Sequence, residues 1–434
     1  MASRSSPARS VVRALEKVPI SPVAAPGEKR PELRLARRET LGDPESENRL
    51  IVADNAEALA ALKVELEGRF RCIYLDPPFN TGRRFDEYED ALTPERWRSM
   101  MRSRLELLLP LLAEDGAVFV EIDDTELGPL IRLMDEVFGR AQRVSIVTIV
   151  RSASTGHKTI NRGPVNVTDF LLIYEKARGH WKYRPERRPR AGVDRAYSTF
   201  LSNPEAPMDA WCFEPLAKVV AANAGYSATK DAVRAMGRAA FDHELERFAL
   251  DRADHVVRFA QPRYDAVSQD ARAAIDRSRA QPDAIFRLAR SGHPDLILRG
   301  GNRLLFLSRK VRPSKAGPSM VEPLTNLWDD VPFQGLAKEG GVVFSRNKKP
   351  ERLLARIVAM SSDEGDWILD PFLGSGTTAA VAHKMGRRWV GIEKGEQAYR
   401  LCVPRLSRVV HGEDLTGITS ATGWRGGGGF GVYA

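Results

Sequence analysis

The segment that most constrains this chain is a strand that cannot continue. Arg71-Cys72-Ile73-Tyr74-Leu75 is a short apolar run, and it stops in Asp76-Pro77-Pro78-Phe79. A run apolar on both faces suits a buried parallel strand, and proline, with fixed φ and no N–H, ends the pairing at Asp76. Prolines keep their carbonyls, so strong acceptors without competing donors gather at the carboxyl edge of a sheet, beside Phe79. Open α/β sheets bind ligands at that edge. The set suits a flat heteroaromatic amine: the ring stacks on Phe79 while both amino hydrogens go to Asp76 and the Pro77 carbonyl. The lone pair of an adenine or cytosine amine is delocalised into its ring, and holding both hydrogens draws the nitrogen towards tetrahedral geometry. Read alone, Asp-Pro-Pro serves equally as a turn that closes a buried strand.

Composition narrows the class. A chain of 434 residues with 43% hydrophobic residues can bury a sizeable core and is expected to form two domains with tails. Its net charge of +9 favours an acidic partner such as nucleic acid. Cys72, Cys212 and Cys402 lie far apart without metal-ligand spacing, which predicts no metal site and a reduced, cytoplasmic setting. No apolar run approaches a membrane span, so no membrane is expected as a partner.

Along the chain, residues 1–48 are rich in Pro, Ser and mixed charge and read as a mobile arm. Residues 49–177 alternate strands and helices: Leu50–Val52 ends at Asp54, a helix runs to about Glu67, and Thr93-Pro94 caps a helix with Trp97, Met101, Leu105 and Leu108 on one face. Strands follow at 117–122, 144–150 and 167–174, with a polar loop carrying His157 and Lys158 between the last two. From 178 to 326 the character changes. A basic run includes Lys182, Arg184, Arg187, Arg188 and Arg190, interleaved by Trp181 and Tyr183, and serves either as nucleic-acid contact or as a solvated face. Long Ala/Arg/Asp-rich segments then predict a mostly helical inserted binding domain. Residues 327–410 return to α/β character, and 411–434 form a glycine-rich tail.

A second motif lies in that last α/β part. Trp367-Ile368-Leu369-Asp370 runs into Pro371-Phe372-Leu373-Gly374-Ser375-Gly376-Thr377-Thr378, then a helix, then a strand closing on Glu393. Strand, glycine turn, helix, strand and terminal acid make a nucleotide-binding half-unit, with the acid placed for ribose hydroxyls. A phosphate-cradling loop would carry Lys before Ser or Thr, and here Thr377 follows Gly376 directly. An adenosine ligand without phosphates, such as S-adenosylmethionine, fits the motif, and a plain dinucleotide unit remains open beside it.

Together, Leu75-Asp76-Pro77-Pro78-Phe79-Asn80-Thr81-Gly82 and Asp370-Pro371-Phe372-Leu373-Gly374-Ser375-Gly376-Thr377-Thr378 resemble the signatures of prokaryotic adenine-specific DNA amino-methyltransferases of the β group, similar to type III modification subunits. The order, with the Asp-Pro-Pro motif before the target recognition region and the glycine motif after it, is that group's permuted order. The resemblance covers about 50–175 and 324–406, and the tail Gly423–Phe430 resembles a glycine-rich stretch of the same family. It implies a Rossmann-like S-adenosylmethionine-dependent sheet interrupted by a target recognition insert. It also implies that Asp76, Pro77, Pro78 and Phe79 hold the flipped base. The cofactor would lie against Asp54, Phe344, Lys349, Pro350, Asp370, Phe372, Gly374, Gly376, Thr377 and Glu393. Two departures stand out: Ala53 where glycine commonly precedes the acid, and an end soon after the glycine tail.

The expected activity is methyl transfer from S-adenosylmethionine to adenine N6 in duplex DNA with the base flipped out. Cytosine N4 is the nearest alternative, RNA a weaker one, and a non-catalytic specificity subunit on the same scaffold belongs to another class. The resemblance also points to a homodimer and leaves a restriction subunit open as a partner.

Overall fold

The computed structural model describes residues 37–84, 89–152, 163–314, 317–333, 335–344 and 348–434. It divides into two compact units, one running to Glu186 and resuming at Thr325, the other Arg187–Leu324.

The first unit is built on a ten-stranded sheet. Its strands in chain order are β1 (Arg37–Gly42), β2 (Arg49–Val52), β3 (Phe70–Leu75), β4 (Leu112–Ile122), β5 (Arg143–Val150), β6 (Thr168–Glu175), β7 (Leu327–Trp328), β8 (Trp367–Asp370), β9 (Arg388–Glu393) and β10 (Gly429–Tyr433). Their spatial order is β1-β10-β2-β9-β8-β3-β4-β6-β5-β7. From β10 to β4 neighbouring strands are parallel, while β1 and β6 pair antiparallel with β10 and β4. β3 and β8 are direct neighbours, with Leu369 opposite Ile73. Two motifs some 290 residues apart in the chain therefore leave the sheet side by side at its carboxyl edge, as a crossover topology permits.

The helices follow their sequence signals. In α1 (Asn55–Leu66) the Asp54 side chain accepts from the Ala56 N–H, and in α2 (Pro94–Leu108) Thr93 accepts from the Arg96 N–H. Trp97, Met101, Leu105 and Leu108 of α2 pack with Leu59 and Leu62 of α1 against Phe70, Ile73, Val118 and Leu369 of the sheet. α3 (Leu127–Met134) widens into a π-turn over Asp135–Gly139, whose Phe138 packs into the same core. α4 (Glu351–Ser361), α5 (Thr377–Lys384) and α6 (Val403–Val410) surround the second motif.

Three expectations need correction. The arm expected over 1–48 contains β1, whose edge is paired along β10, so residues 37–48 belong to the fold. The glycine tail is likewise structural. Gly429 lets β10 pass the Asp43 backbone where a Cβ would collide, and Gly427's carbonyl accepts from His383 Nε2 at 2.9 Å. Trp389 Nε1 donates to His383 Nδ1 at 3.2 Å, which fixes the neutral tautomer with its proton on Nε2. The third concerns the insert, expected to be mostly helical.

That second unit is mixed. Its helices are Leu216–Asn223, Thr229–Met236, Arg238–Asp251 and Gln269–Ala280. They accompany a six-stranded antiparallel sheet in the order Phe213–Pro215, Thr199–Leu201, Val256–Ala260, Asn302–Phe306, His293–Arg299, Ile285–Arg290. The physical reason is period: burial alternates along His293–Arg299, where Leu296 and Leu298 pack with Ala274 and Ile275, and the Gly300-Gly301 turn joins that strand to Asn302–Phe306. The inserted unit starts nine residues after the expected 178 and ends two before the expected 326. Lys182 and Arg184 therefore fall in the first unit, and His157 and Lys158 lie outside the described residues.

Candidate active site

The loop after β3 is held open by its own polar groups. Trp97 Nε1 donates to the Pro78 carbonyl at 2.7 Å, and among the described residues nothing donates to the Pro77 carbonyl. Asn80 adopts φ 60°, a left-handed conformation that its short side chain tolerates, and donates through Nδ2 to Glu126 Oε1 at 2.7 Å. The Asp90 carboxylate accepts from the Asn80 N–H at 2.8 Å and the Thr81 N–H at 3.1 Å, and Leu92 N–H donates to Asn80 Oδ1 at 2.9 Å. These bonds fix the turn and leave Asp76 and the Pro77 carbonyl as acceptors beside Phe79.

The glycine turn after β8 is anchored from several sides. Gly376 has φ 80° and lies against the Cys402 backbone, so glycine is the residue that admits both the turn and the start of α5. Gly374 N–H donates to Glu393 Oε2 at 2.5 Å, and Cys402 Sγ donates to the Gly374 carbonyl at 3.2 Å. Asp370 accepts from the Phe372 N–H at 2.9 Å. Burial pushes Asp370 up to about 7, against the lowering pull of Thr378 and the Phe372 N–H, and burial pushes Glu393 up to about 7 as well.

One cavity joins the two motifs: Tyr74, Asp76 and Lys349 line it together with Phe344, Asp370, Phe372–Ser375, Thr377 and Thr378. Two carboxylates on its wall suit a cationic ligand rather than a phosphate. Asp54, by contrast, is occupied locally: besides capping α1 it receives Arg104 Nη2 at 3.1 Å and Lys394 Nζ at 3.5 Å.

Lys349 sits at the Asp76 end of the cavity. Its ammonium lies 3.0 Å from Asp76 Oδ1 and 2.8 Å from Glu121 Oε1, and 4.7 Å from the centre of the Phe79 ring. Glu121 is fully buried, and its other oxygen accepts from Tyr74 OH at 2.6 Å. Asp169, ion-paired with Arg151 at 3.2 Å, stands behind them. Burial raises Asp76 above the usual carboxylate range, with Lys349 opposing and Glu121 reinforcing the shift. For Lys349 burial works downward, yet Asp76, Glu121 and Asp169 outweigh it and hold the ammonium above its ordinary range. Glu121 and Asp169 were invisible as site residues in the sequence, because each sits within an apolar strand; an acid at a buried strand position was the available signal.

A second missed group lies under the glycine turn. Glu351, Lys384 and Arg405 are fully buried. Lys384 Nζ donates to Glu351 Oε2 at 2.8 Å and Asp414 Oδ2 at 2.7 Å. Arg405 donates to Glu351 Oε1 at 2.8 Å and to Thr377 Oγ1 at 2.7 Å. Pro350, named from the sequence, is the N-cap of α4 and leads into this network. The basic run is largely paired: Lys182 and Arg184 with Asp363, Arg188 with Glu322 at 2.8 Å, and Arg190 with Asp194 at 3.9 Å.

An interrupted parallel sheet thus brings an acceptor–aromatic corner and a glycine turn together at adjacent strand ends. Residues 70–403 match the family model described as DNA methylase (N6/N4), and the chain belongs to that family. A Haemophilus influenzae protein named "Probable type III restriction-modification enzyme HindVI Mod subunit" is 31% identical over 429 residues, 92% of this chain and 55% of that protein. The chain thus spans about half the length of that relative. The type II methyltransferase M.EcaI of Enterobacter cloacae is 27% identical, over 83% of this chain and 69% of its own. Among solved structures, the PvuII DNA methyltransferase (cytosine-N4-specific) is 14% identical with a TM-score of 0.39, over 82% of this chain and 86% of that one. Among the described residues no helix is long and apolar enough to cross a membrane.

Proposed function

We propose that this chain is a site-specific DNA methyltransferase that uses S-adenosylmethionine to methylate adenine N6 in duplex DNA. The observation that carries the reading is one cavity lined by residues of both motifs, Asp76 from the first and Asp370, Phe372–Ser375, Thr377 and Thr378 from the second. The donor set fits the cofactor: Glu393 offers a ribose diol an acceptor, the turn and the start of α5 offer N–H groups, and Asp370 and Asp76 offer negative charge to a sulfonium. When bound, that group supplies an electrophilic methyl. Phe344, Phe372, Gly374, Gly376, Thr377 and Glu393 would hold it.

The chain's own part is acceptance and positioning. Asp76 and the Pro77 carbonyl accept the two amine hydrogens, Phe79 offers its ring to the flipped base, and Trp97 and Asn80 keep the turn from relaxing. Adenine is preferred over cytosine because Asp precedes Pro-Pro and because the relative with 92% coverage of this chain carries a type III Mod name. That relative also motivates a restriction subunit as partner. Sequence reading is proposed to lie in Arg187–Leu324, the unit inserted between the two parts of the sheet.

Sequencing DNA from a methylation-free host that expresses this protein, with detection of modified bases, tests the reading. N6-methyladenine in one sequence context is expected. N4-methylcytosine would transfer the proposal to cytosine, and unmodified DNA would overturn it.

A further inference from the structure

We propose that Lys349 occupies the place of the target amine while the site holds no DNA, and that an incoming base must displace its ammonium from Asp76 and Phe79. The inference rests on the methyltransferase reading above.

The argument is chemical mimicry at one corner. A flipped adenine is expected to bring N–H donors to Asp76 and a π-face to Phe79. Lys349 supplies both kinds of contact from within the chain: an N–H donor 3.0 Å from Asp76 Oδ1, and a cation 4.7 Å from the Phe79 ring centre. The two occupants cannot use one acceptor in the same direction at once.

Displacement does not leave a bare buried ammonium. Lys349 is only 11% exposed, but its second partner, Glu121, is fully buried and immobilised through Tyr74. Lys349 can therefore yield Asp76 to the base and keep its bond to Glu121. That geometry also keeps a positive charge near Asp76. The groups around Asp76 are Lys349 from the segment before α4, Tyr74 from β3, Glu121 from β4 and Asp370 from β8; Asp169 with Arg151, and Asp123, stand beyond Lys349. Two of its neighbours, Glu121 and Asp370, are acids, so without Lys349 the carboxyl would hold its proton to higher pH. A protonated carboxyl presents an O–H that competes with the amine's own hydrogens.

Two variants should move in opposite directions, which general damage would not do. In a tritiated-methyl assay on unmethylated plasmid DNA, run above the acid limb where Asp76 is ionised, Lys349→Met should lower KM for DNA by about tenfold, the worth of one charge-assisted hydrogen bond. It should also shift the acid limb of the pH–rate profile up by about one unit or more. Glu121→Gln replaces the charged partner of Lys349 with a neutral acceptor, which shifts the ammonium's hold towards Asp76, and removes a negative neighbour, so KM should rise and the acid limb should fall. Melting curves establish that each variant is folded. If Lys349→Met does not fold, Glu121→Gln decides by itself. Folded variants with unchanged KM and pH limb, or with KM moving the same way in both, overturn the place-holder role while leaving the methyltransferase reading intact. A wild-type protein that methylates no DNA removes both.

Discussion

Gly374 gives its backbone N–H to the Glu393 carboxylate at 2.5 Å, so the turn after β8 and the last residue of β9 form one rigid lip. Glu393→Ala frees the turn and removes the proposed ribose acceptor. Donor binding measured by calorimetry should weaken about tenfold or more. Gly374→Val should also weaken it, since Gly374 has φ 57° and valine is strained there. Normal binding by either variant would displace that residue from the cofactor site.

Glu393 also predicts a pH dependence of stability. Its folded value, about 7, lies above its ordinary 4.5 because burial disfavours the charged form. The folded state therefore binds the proton more tightly, and the stability this contributes is complete below about 4.5 and is lost as pH rises through 7. Glu393→Gln cannot ionise. Urea titrations should show wild type losing stability relative to the variant between those pH values, by on the order of 1–3 kcal/mol. A difference that stays constant with pH would mean that Glu393 is ionised throughout.

Asp76→Ala should abolish methyl transfer while leaving donor binding largely intact, because the carboxylate addresses the amine rather than the turn around Gly374. Calorimetry paired with a tritiated-methyl assay separates the two. Transfer near the wild-type rate would exclude Asp76 from the mechanism.

Glu351 is the shared acceptor of Lys384, Arg405 and the Ile418 N–H. Glu351→Leu should cost about 3–5 kcal/mol, since it strands two buried cations that Asp414 and Thr377 only partly satisfy. The urea midpoint reads this directly. An unchanged midpoint would mean that Asp414 and water replace Glu351 fully.

Neutralising Arg187, Arg188 and Arg190 together tests the insert's basic run as a phosphate-binding surface. DNA affinity should fall alike for all sequences, and the salt dependence should flatten by roughly one unit of slope for each phosphate no longer neutralised. The Arg188–Glu322 and Arg190–Asp194 pairs set the opposing expectation. An unchanged slope would make the run a solvated, internally paired face.

What the sequence determined by itself was local and chemical. Asp76-Pro77-Pro78 had to end a buried strand, Thr93-Pro94 had to start a helix, and the Gly374–Gly376 turn had to join a strand to a helix, because these outcomes depend on dihedral limits and hydrogen-bond capacity of adjacent residues. Only the tertiary structure decided which distant groups share a space. It placed β3 beside β8, drew β1 and the glycine tail into the sheet edge, and turned the expected helical insert into a mixed unit. It also set Lys349, an expected cofactor contact, beside Asp76 and Glu121, two acids 45 positions apart that meet only when β3 and β4 pair. Ion pairs of this kind carry no periodicity, and burial, which gives them their weight, is a property of the packed sheet rather than of any segment.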